Sequence, residues 1–178
     1  MGSGESGAYY TSGGSTIIHH EAIIHAFDGN FTHNPRTGKA QRLRSGGHGQ
    51  SSLDLLQRYG IQHHISKTYP NGVRVGSIEK TNYSRKRETG HAWFPSTWTT
   101  RDMVRAAEHV MQLKKNRYVP DGATMWGTWR GVRIGVKRRK GIVVSIFPDT
   151  HQLKQWIQGE HHVRYPTVET DYCQARIN

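Results

Sequence analysis

Two histidines, His25 and His48, bracket a stretch that carries Arg36, Lys39, Arg42 and Arg44 and is punctuated by Gly29, Gly38, Gly46 and Gly47, with Gly49 just beyond it. A histidine pair beside cationic side chains can cleave RNA without a metal. One imidazole takes the proton of a ribose 2′-hydroxyl, and the other gives a proton to the leaving 5′-oxygen. Free imidazole titrates near pH 6.5, so one pair can supply a neutral and a charged ring together at neutral pH. Glycines beside His48 permit unusual backbone angles and close approach of a phosphate.

Such a pair needs elements that hold it. Residues 1–16 are Gly/Ser-rich and read as a flexible linker. From Ile17 to Phe27, the 18/22 and 23/27 apolar pairs predict a helix, capped by Ser15 or Thr16 and ended by Gly29. His25 then sits in its last turn, where the helix dipole favours a cation. Residues 28–47 lack periodicity and read as a loop. Ser51 starts a short capped helix ending near Gly60. Asn71 and Gly72 signal a turn before a strand that runs to Lys80. Thr81 to Gly90 reads as a basic loop.

The clearest helix follows Trp98. Thr99 and Asp102 have capping-box spacing, and Met103, Ala107, Val110 and Met111, with Leu113, form one apolar stripe. Strands come next: Trp126 to Trp129, then a turn at Arg130 and Gly131, then alternating Val132, Ile134 and Val136. Residues 137–141 read as a charged hairpin loop. On the returning strand, Ile142, Val144 and Ile146 are expected on one face, with Val143, Ser145 and Phe147 on the other until Pro148. Residues 151–178 are expected to open with a short helix around Leu153, Trp156 and Ile157. Helices and a loop followed by a long helix and antiparallel strands make an α+β fold. The domain is expected at residues 17–150, with 151–178 as a C-terminal extension.

Composition narrows the partners. The 178 residues carry 25 Lys plus Arg against 13 Asp plus Glu, a formal charge of +12. That balance points to a polyanion such as nucleic acid, an anionic membrane or an acidic protein. No run approaches the roughly 20 apolar residues of a membrane helix. No secretion signal is evident, so export would need a carrier or a larger parent chain. Cys173 is the one cysteine, which leaves no intramolecular disulfide and no cysteine zinc cage. The doublets at 19/20, 63/64 and 161/162 are poor chelates because adjacent side chains diverge. His20 and His25 miss the i, i+4 spacing of helical zinc ligands. No metal and no cofactor is expected.

Four motifs in order resemble the bacterial EndoU-type endoribonucleases, found as C-terminal toxin domains of polymorphic, contact-dependent toxins. Their catalytic domain is shared with eukaryotic EndoU and nidoviral uridylate-specific endoribonucleases. The motifs are His25-x-x-x-Gly29, then Gly46-Gly47-His48, then Trp93-Phe94-Pro95-x-x-Trp98, then Val144-Ser145-Ile146-Phe147-Pro148. The resemblance implies an EndoU-like fold in which His48 is the general base, His25 the general acid and Ser145 the family's Ser/Thr. It puts Phe147 at an aromatic position that is Tyr in many members. Gly47 and Arg44 join Phe147 as expected substrate-binding residues. A third, cationic group used by some members would be Lys86 or Lys80. The implied reaction is metal-independent transesterification to a 2′,3′-cyclic phosphate and a 5′-hydroxyl. The implied substrate is RNA, near uridine or in tRNA. The implied setting is a toxin delivered as part of a larger protein and acting in the target-cell cytoplasm, with an acidic immunity protein as partner.

Two other classes compete. A metal-dependent nuclease could use His33, Asn34 and Pro35, which resemble such nuclease loops; EDTA-sensitive cleavage leaving 5′-phosphates would mark it. A non-catalytic RNA-binding module would bind in a salt-sensitive way without cutting.

Overall fold

The computed structural model describes residues 9–10, 17–79 and 88–152. The expected linker (apart from residues 9–10), the Ser15/Thr16 cap, Lys80, Lys86 and the helix around Leu153 lie outside the described residues.

Helix α3 (Thr100–Gln112) forms for the reasons its sequence states. The Thr99 backbone N–H donates to Asp102 Oδ2 at 2.8 Å, and the Asp102 N–H donates to Thr99 Oγ1 at 3.3 Å. Phe94 and Trp98 stack at 5.2 Å just before this cap, with Trp129 edge-on to Trp98. Met103, Ala107 and Val110 are buried, together with Val104 and Ala106. A 3-10 turn (Lys114–Asn116) follows. Buried Asn116 donates to the carbonyls of Val110 and Trp126, at 2.7 and 2.9 Å, and so ties the helix end to the sheet beneath it.

That sheet has the order β1-β2-β10-β9-β8. Its strands are β1 (Tyr9–Tyr10), β2 (Ile17–Ile18), β8 (Thr124–Trp129), β9 (Val132–Arg139) and β10 (Ile142–Pro148). The three long strands pair antiparallel, and β2 joins β10 in parallel. Arg130 and Gly131, then Lys140 and Gly141, all have positive φ. Two successive positive-φ residues make the two-residue turn whose twist matches the flanking strands. Residues 137–139 therefore continue β9, and the expected charged loop shrinks to its last two residues. The expected alternation on β10 also changes. The register slips between Val143 and Ser145, leaving Val144 as a bulge. Val143 and Ile146 are buried, while Ile142 and Val144 are exposed. The bulge leaves Ser145 and Phe147 together on the face away from this core.

Helix α1 (His20–Phe27) starts later than expected, because Ile17–Ile18 is drawn into the sheet. Its cap residue His19 makes no side-chain cap bond. Helix α2 (Gln50–Arg58) forms where expected, again without a side-chain cap, since Gly49 holds that position. The expected loop at 28–47 is a β-hairpin, β3 (Asn30–His33) with β4 (Ala40–Ser45). Only Leu43 of the hairpin is buried, so no periodicity could show. A third sheet, β5 (His63–Thr68), β6 (Arg74–Ile78) and β7 (Glu88–Trp93), includes residues that read as loop.

Two apolar cores result. The larger lies between α1, α3 and the main sheet; the smaller joins Leu43, Leu53, Leu56, Ile61, Ile78 and Trp93. Ala92 and Phe94 belong to the first and Trp93 to the second, so the end of β7 is the seam between them. Met103 has no exposed surface. Met103→Ala is expected to cost about 2–5 kcal/mol and Thr99→Ala about 1 kcal/mol in urea unfolding, with unchanged m values.

Candidate active site

A helix end leaves its last carbonyls without partners. In α1 the Asp28 and Gly29 N–H groups both donate to Ile24 O, at 2.9 and 3.0 Å, and Gly29 turns the chain with φ 94°. The next three carbonyls are met from a distant segment. Gly47, His48 and Gly49 donate their N–H groups to His25, Ala26 and Phe27 at 2.9, 2.7 and 2.8 Å. This zipper sets the two histidine-bearing segments side by side. It also dictates glycine at its start: a Cβ on Gly46, where φ is 69°, would lie 1.9 Å from His25 O.

The two rings are held differently. The Nδ1 of His48 lies 2.8 Å from the Ala92 carbonyl oxygen. A carbonyl only accepts, so Nδ1 carries the hydrogen and Nε2 keeps its lone pair. The His48 carbonyl accepts from the Phe94 N–H at 2.6 Å, which fixes the residue at both ends. The Nδ1 of His25 lies 2.8 Å from the amide nitrogen of Asn30. An amide can turn either its oxygen or its NH2 to that nitrogen, so Asn30 serves both the neutral and the charged ring.

Behind His48 stands a third histidine. His91 is buried and stacks on His48 at 4.6 Å with 9° between planes. Its Nε2 donates to Gly47 O at 2.7 Å, and its other side meets Trp93 at 4.7 Å. Burial, then the His91 charge, push His48 down to about 3, with His25 adding and the Ala92 hydrogen bond opposing. Burial also lowers His25 from its ordinary value.

The opposite wall is the outer face of the main sheet. Phe147 lies 6.1 Å from the His48 ring, centroid to centroid, with Trp126 edge-on to it at 5.7 Å. Phe147 pairs with Gly135, whose missing side chain makes room: a Cβ there would sit 2.6 Å from the Phe147 ring. Ser145 pairs with Lys137, which places both on that same face. Lys137 Nζ is 5.9 Å from the Phe147 centroid, and Lys137 has no carboxylate partner among the described residues. Arg44 is exposed at the root of the β3–β4 hairpin.

Thus His25, Gly47, His48 and Phe147 come together, Ser145 shares the sheet face with Phe147, and Lys80 and Lys86 lie outside the described residues. Asn30, His91 and Lys137 were missed. Lys137 was hidden by reading its segment as a loop, although it continues the alternation of β9. Among the described residues, no group of three or more His, Cys, Asp or Glu side chains is placed to hold a metal ion. His63 instead binds the Ile61 carbonyl through Nδ1 at 2.9 Å, and the Asn34 side chain closes the hairpin turn by accepting from the Arg36 N–H at 2.8 Å. Among the described residues, no helix is long and apolar enough to cross a membrane.

The family model for the bacterial EndoU nuclease matches residues 19–150. The chain belongs to that family. As an EndoU nuclease it is an endoribonuclease with an α+β fold. A solved structure similar to this EndoU domain is that of XendoU, described as a splicing-independent snoRNA-processing endoribonuclease. The similarity has a TM-score of 0.42 and 9% identity, over 74% of this chain and 56% of that one, so the EndoU domain spans little more than half of XendoU's chain. Comparison with curated proteins finds no match.

The zipper can be tested through its glycines. Gly38 has φ 70° but open space around it, whereas Gly46 faces the His25 carbonyl. Gly38→Ala is expected to cost only the roughly 1–2 kcal/mol of left-handed backbone. Gly46→Ala is expected to lower thermal stability further and to remove at least about 10²-fold of RNA cleavage. Equal losses for both would disprove the zipper's role.

Proposed function

We propose that this EndoU domain cleaves RNA by metal-independent transesterification, with His48 as general base and His25 as general acid. The observation that carries the reading is the tautomer of His48, with Nδ1–H bound to Ala92 O and a lone pair left on Nε2. The 2′-hydroxyl proton passes to His48 Nε2 as the O2′–P bond forms. The P–O5′ bond breaks, and O5′ takes a proton from His25. The products are a 2′,3′-cyclic phosphate and a 5′-hydroxyl. Ser145 donates its hydroxyl to a phosphate oxygen or base edge. Lys137 supplies the positive charge that stabilises the phosphorane, a part for which Lys80 and Lys86 remain candidates. Phe147 stacks on the nucleobase 5′ to the cut, worth about 1–3 kcal/mol. It has no hydroxyl, so stacking is its whole contribution.

The family resemblance supports a wider reading. The domain acts as a toxin carried by a larger protein into a target-cell cytoplasm. Its RNA is cut near uridine, with tRNA as the substrate, and an acidic immunity protein covers the basic cleft. The +12 charge supports both an RNA substrate and an acidic inhibitor. Sequencing of RNA ends from exposed cells names the substrate, and native-gel mixing tests any given inhibitor.

His25→Ala or His48→Ala is expected to lose at least about 10²-fold in cleavage while circular dichroism shows the fold intact. Lys137→Met is expected to lose about 10²-fold in the same assay. Cleavage should persist in EDTA and leave cyclic phosphates; 5′-phosphate ends would refute the mechanism.

The pH dependence follows from the two lowered imidazoles. His48 must be neutral, so activity rises as pH climbs through its low value. His25 must be charged, so activity falls as pH passes its own value, which lies below 6.5. The kcat/KM profile is therefore expected to peak on the acid side of pH 6.5. Bound phosphate favours both imidazolium forms, so the kcat profile should lie at higher pH. A kcat/KM maximum above pH 7 would contradict this assignment.

A further inference from the structure

The β3–β4 hairpin grows directly out of the candidate site. At its root, Asn30 meets His25 and pairs with Ser45, one residue before the glycines of the zipper. From there it runs outward to a turn at residues 34–38, pinned by the Asn34 side chain and by Gly38 N–H to Asn34 O at 2.8 Å. Leu43 is buried toward α2, and Phe31, its partner, packs on the same core. Thr32 and Arg42 form the next pair along, on the opposite face. Arg36, Lys39, Arg42 and Arg44 are all exposed. None has a carboxylate partner among the described residues, and residues 29–49 contain no acid. A small hairpin with one buried side chain and four unneutralised cations is a surface that suits a polyanion.

Its place gives it a polarity. If His25 protonates the leaving 5′-oxygen, the nucleotide attached to that oxygen lies on the His25 side. The ribose that is attacked then lies on the side of His48 and Phe147. We propose that the β3–β4 hairpin is a substrate arm that binds the RNA phosphates 3′ to the cleaved bond, through Arg36, Lys39 and Arg42. This inference rests on the acid and base roles argued above. The arm would make the enzyme favour RNA that continues beyond the cut over short fragments, without reading their sequence. Arg44, in the bulge between the pairs Asn30–Ser45 and Phe31–Leu43, stands where the arm meets the site.

The test uses oligonucleotides with a single ribose, so that one linkage can be cut, and deoxyribose elsewhere. One substrate is a dinucleotide, one extends only 5′ of the cut and one extends only 3′. The triple variant Arg36→Gln, Lys39→Gln, Arg42→Gln leaves the buried face and the turn-closing Asn34 untouched. It is expected to cleave the dinucleotide and the 5′-extended substrate as wild type does. For the 3′-extended substrate its kcat/KM should fall at least about tenfold. Its salt dependence should flatten by about 2 units of slope, since each lost single-strand phosphate contact accounts for about 0.7. Lys140→Asn, at an exposed turn with positive φ, controls for loss of a cation away from the hairpin and should change nothing. Equal loss on the 5′- and 3′-extended substrates, or loss confined to the 5′-extended one, overturns the arm. So does wild-type behaviour on all three, which would leave the cationic face to a protein partner. Failure of the underlying mechanism looks different: His25→Ala would cut all three substrates normally.

Discussion

Three hydrogen bonds hold the candidate site: those from Gly47, His48 and Gly49 to the last carbonyls of α1. Each adds about 0.5–1.5 kcal/mol net, but a buried carbonyl without a partner costs as much again, so the zipper closes or opens as a unit. Its geometric consequence is larger than its energy. It aligns residue 48 with the end of a helix that carries residue 25, although 23 positions separate them in the chain. Most of those intervening positions form a hairpin, which lets the chain leave α1 and return to it. The Ser51 hydroxyl donates to Asp28, so α2 is also fastened to the end of α1. His48 needs no long-range side-chain packing to find His25; the backbone delivers it.

The electrostatics of the site suit an anion. His48 sits against His91 and near His25, while Lys137 lies opposite Ser145 on the sheet face and the β3–β4 cations are exposed. Burial, His91 and His25 disfavour a proton on His48. A general base works best with a pKa near the working pH, and about 3 is far below that. A phosphodiester placed among these groups reverses the balance, because its charge favours both imidazolium forms. In the proposed mechanism the base thus strengthens when substrate arrives, and the acid holds its proton more firmly at the same moment.

How much of this was legible depended on whether burial leaves a periodic trace. Helix α3 was legible because its stripe and cap are local and its packed face spans several turns. The β9–β10 hairpin was legible from alternation, but the bulge at Val144 was not, since an extra residue looks like any other β-branched one. It moved Val143 into the core and left Ser145 and Phe147 together, so the pair was placed correctly by a pattern that was wrong one residue earlier. The β3–β4 hairpin left no trace because Leu43 alone is buried there. His91, Asn30 and Lys137 act through positions fixed by register and by backbone carbonyls. Their types are common, and nothing in their neighbours marks them.

The remaining constraint is the seam. Strand β7 sends Ala92 and Phe94 into one core and Trp93 into the other, and His48 is bound to the first two through its ring and its carbonyl. His91 leans on Trp93, so the ring stacked behind His48 is supported by the smaller core. Neither core alone could build the site. The larger one holds α1 and the sheet that carries Phe147, while the smaller one holds α2, the hairpin and the support for His91. The smaller core has six buried apolar residues, and local opening is cheapest where few are buried. The geometry of the candidate site is therefore as stable as that smaller core, whose six residues support it from beneath.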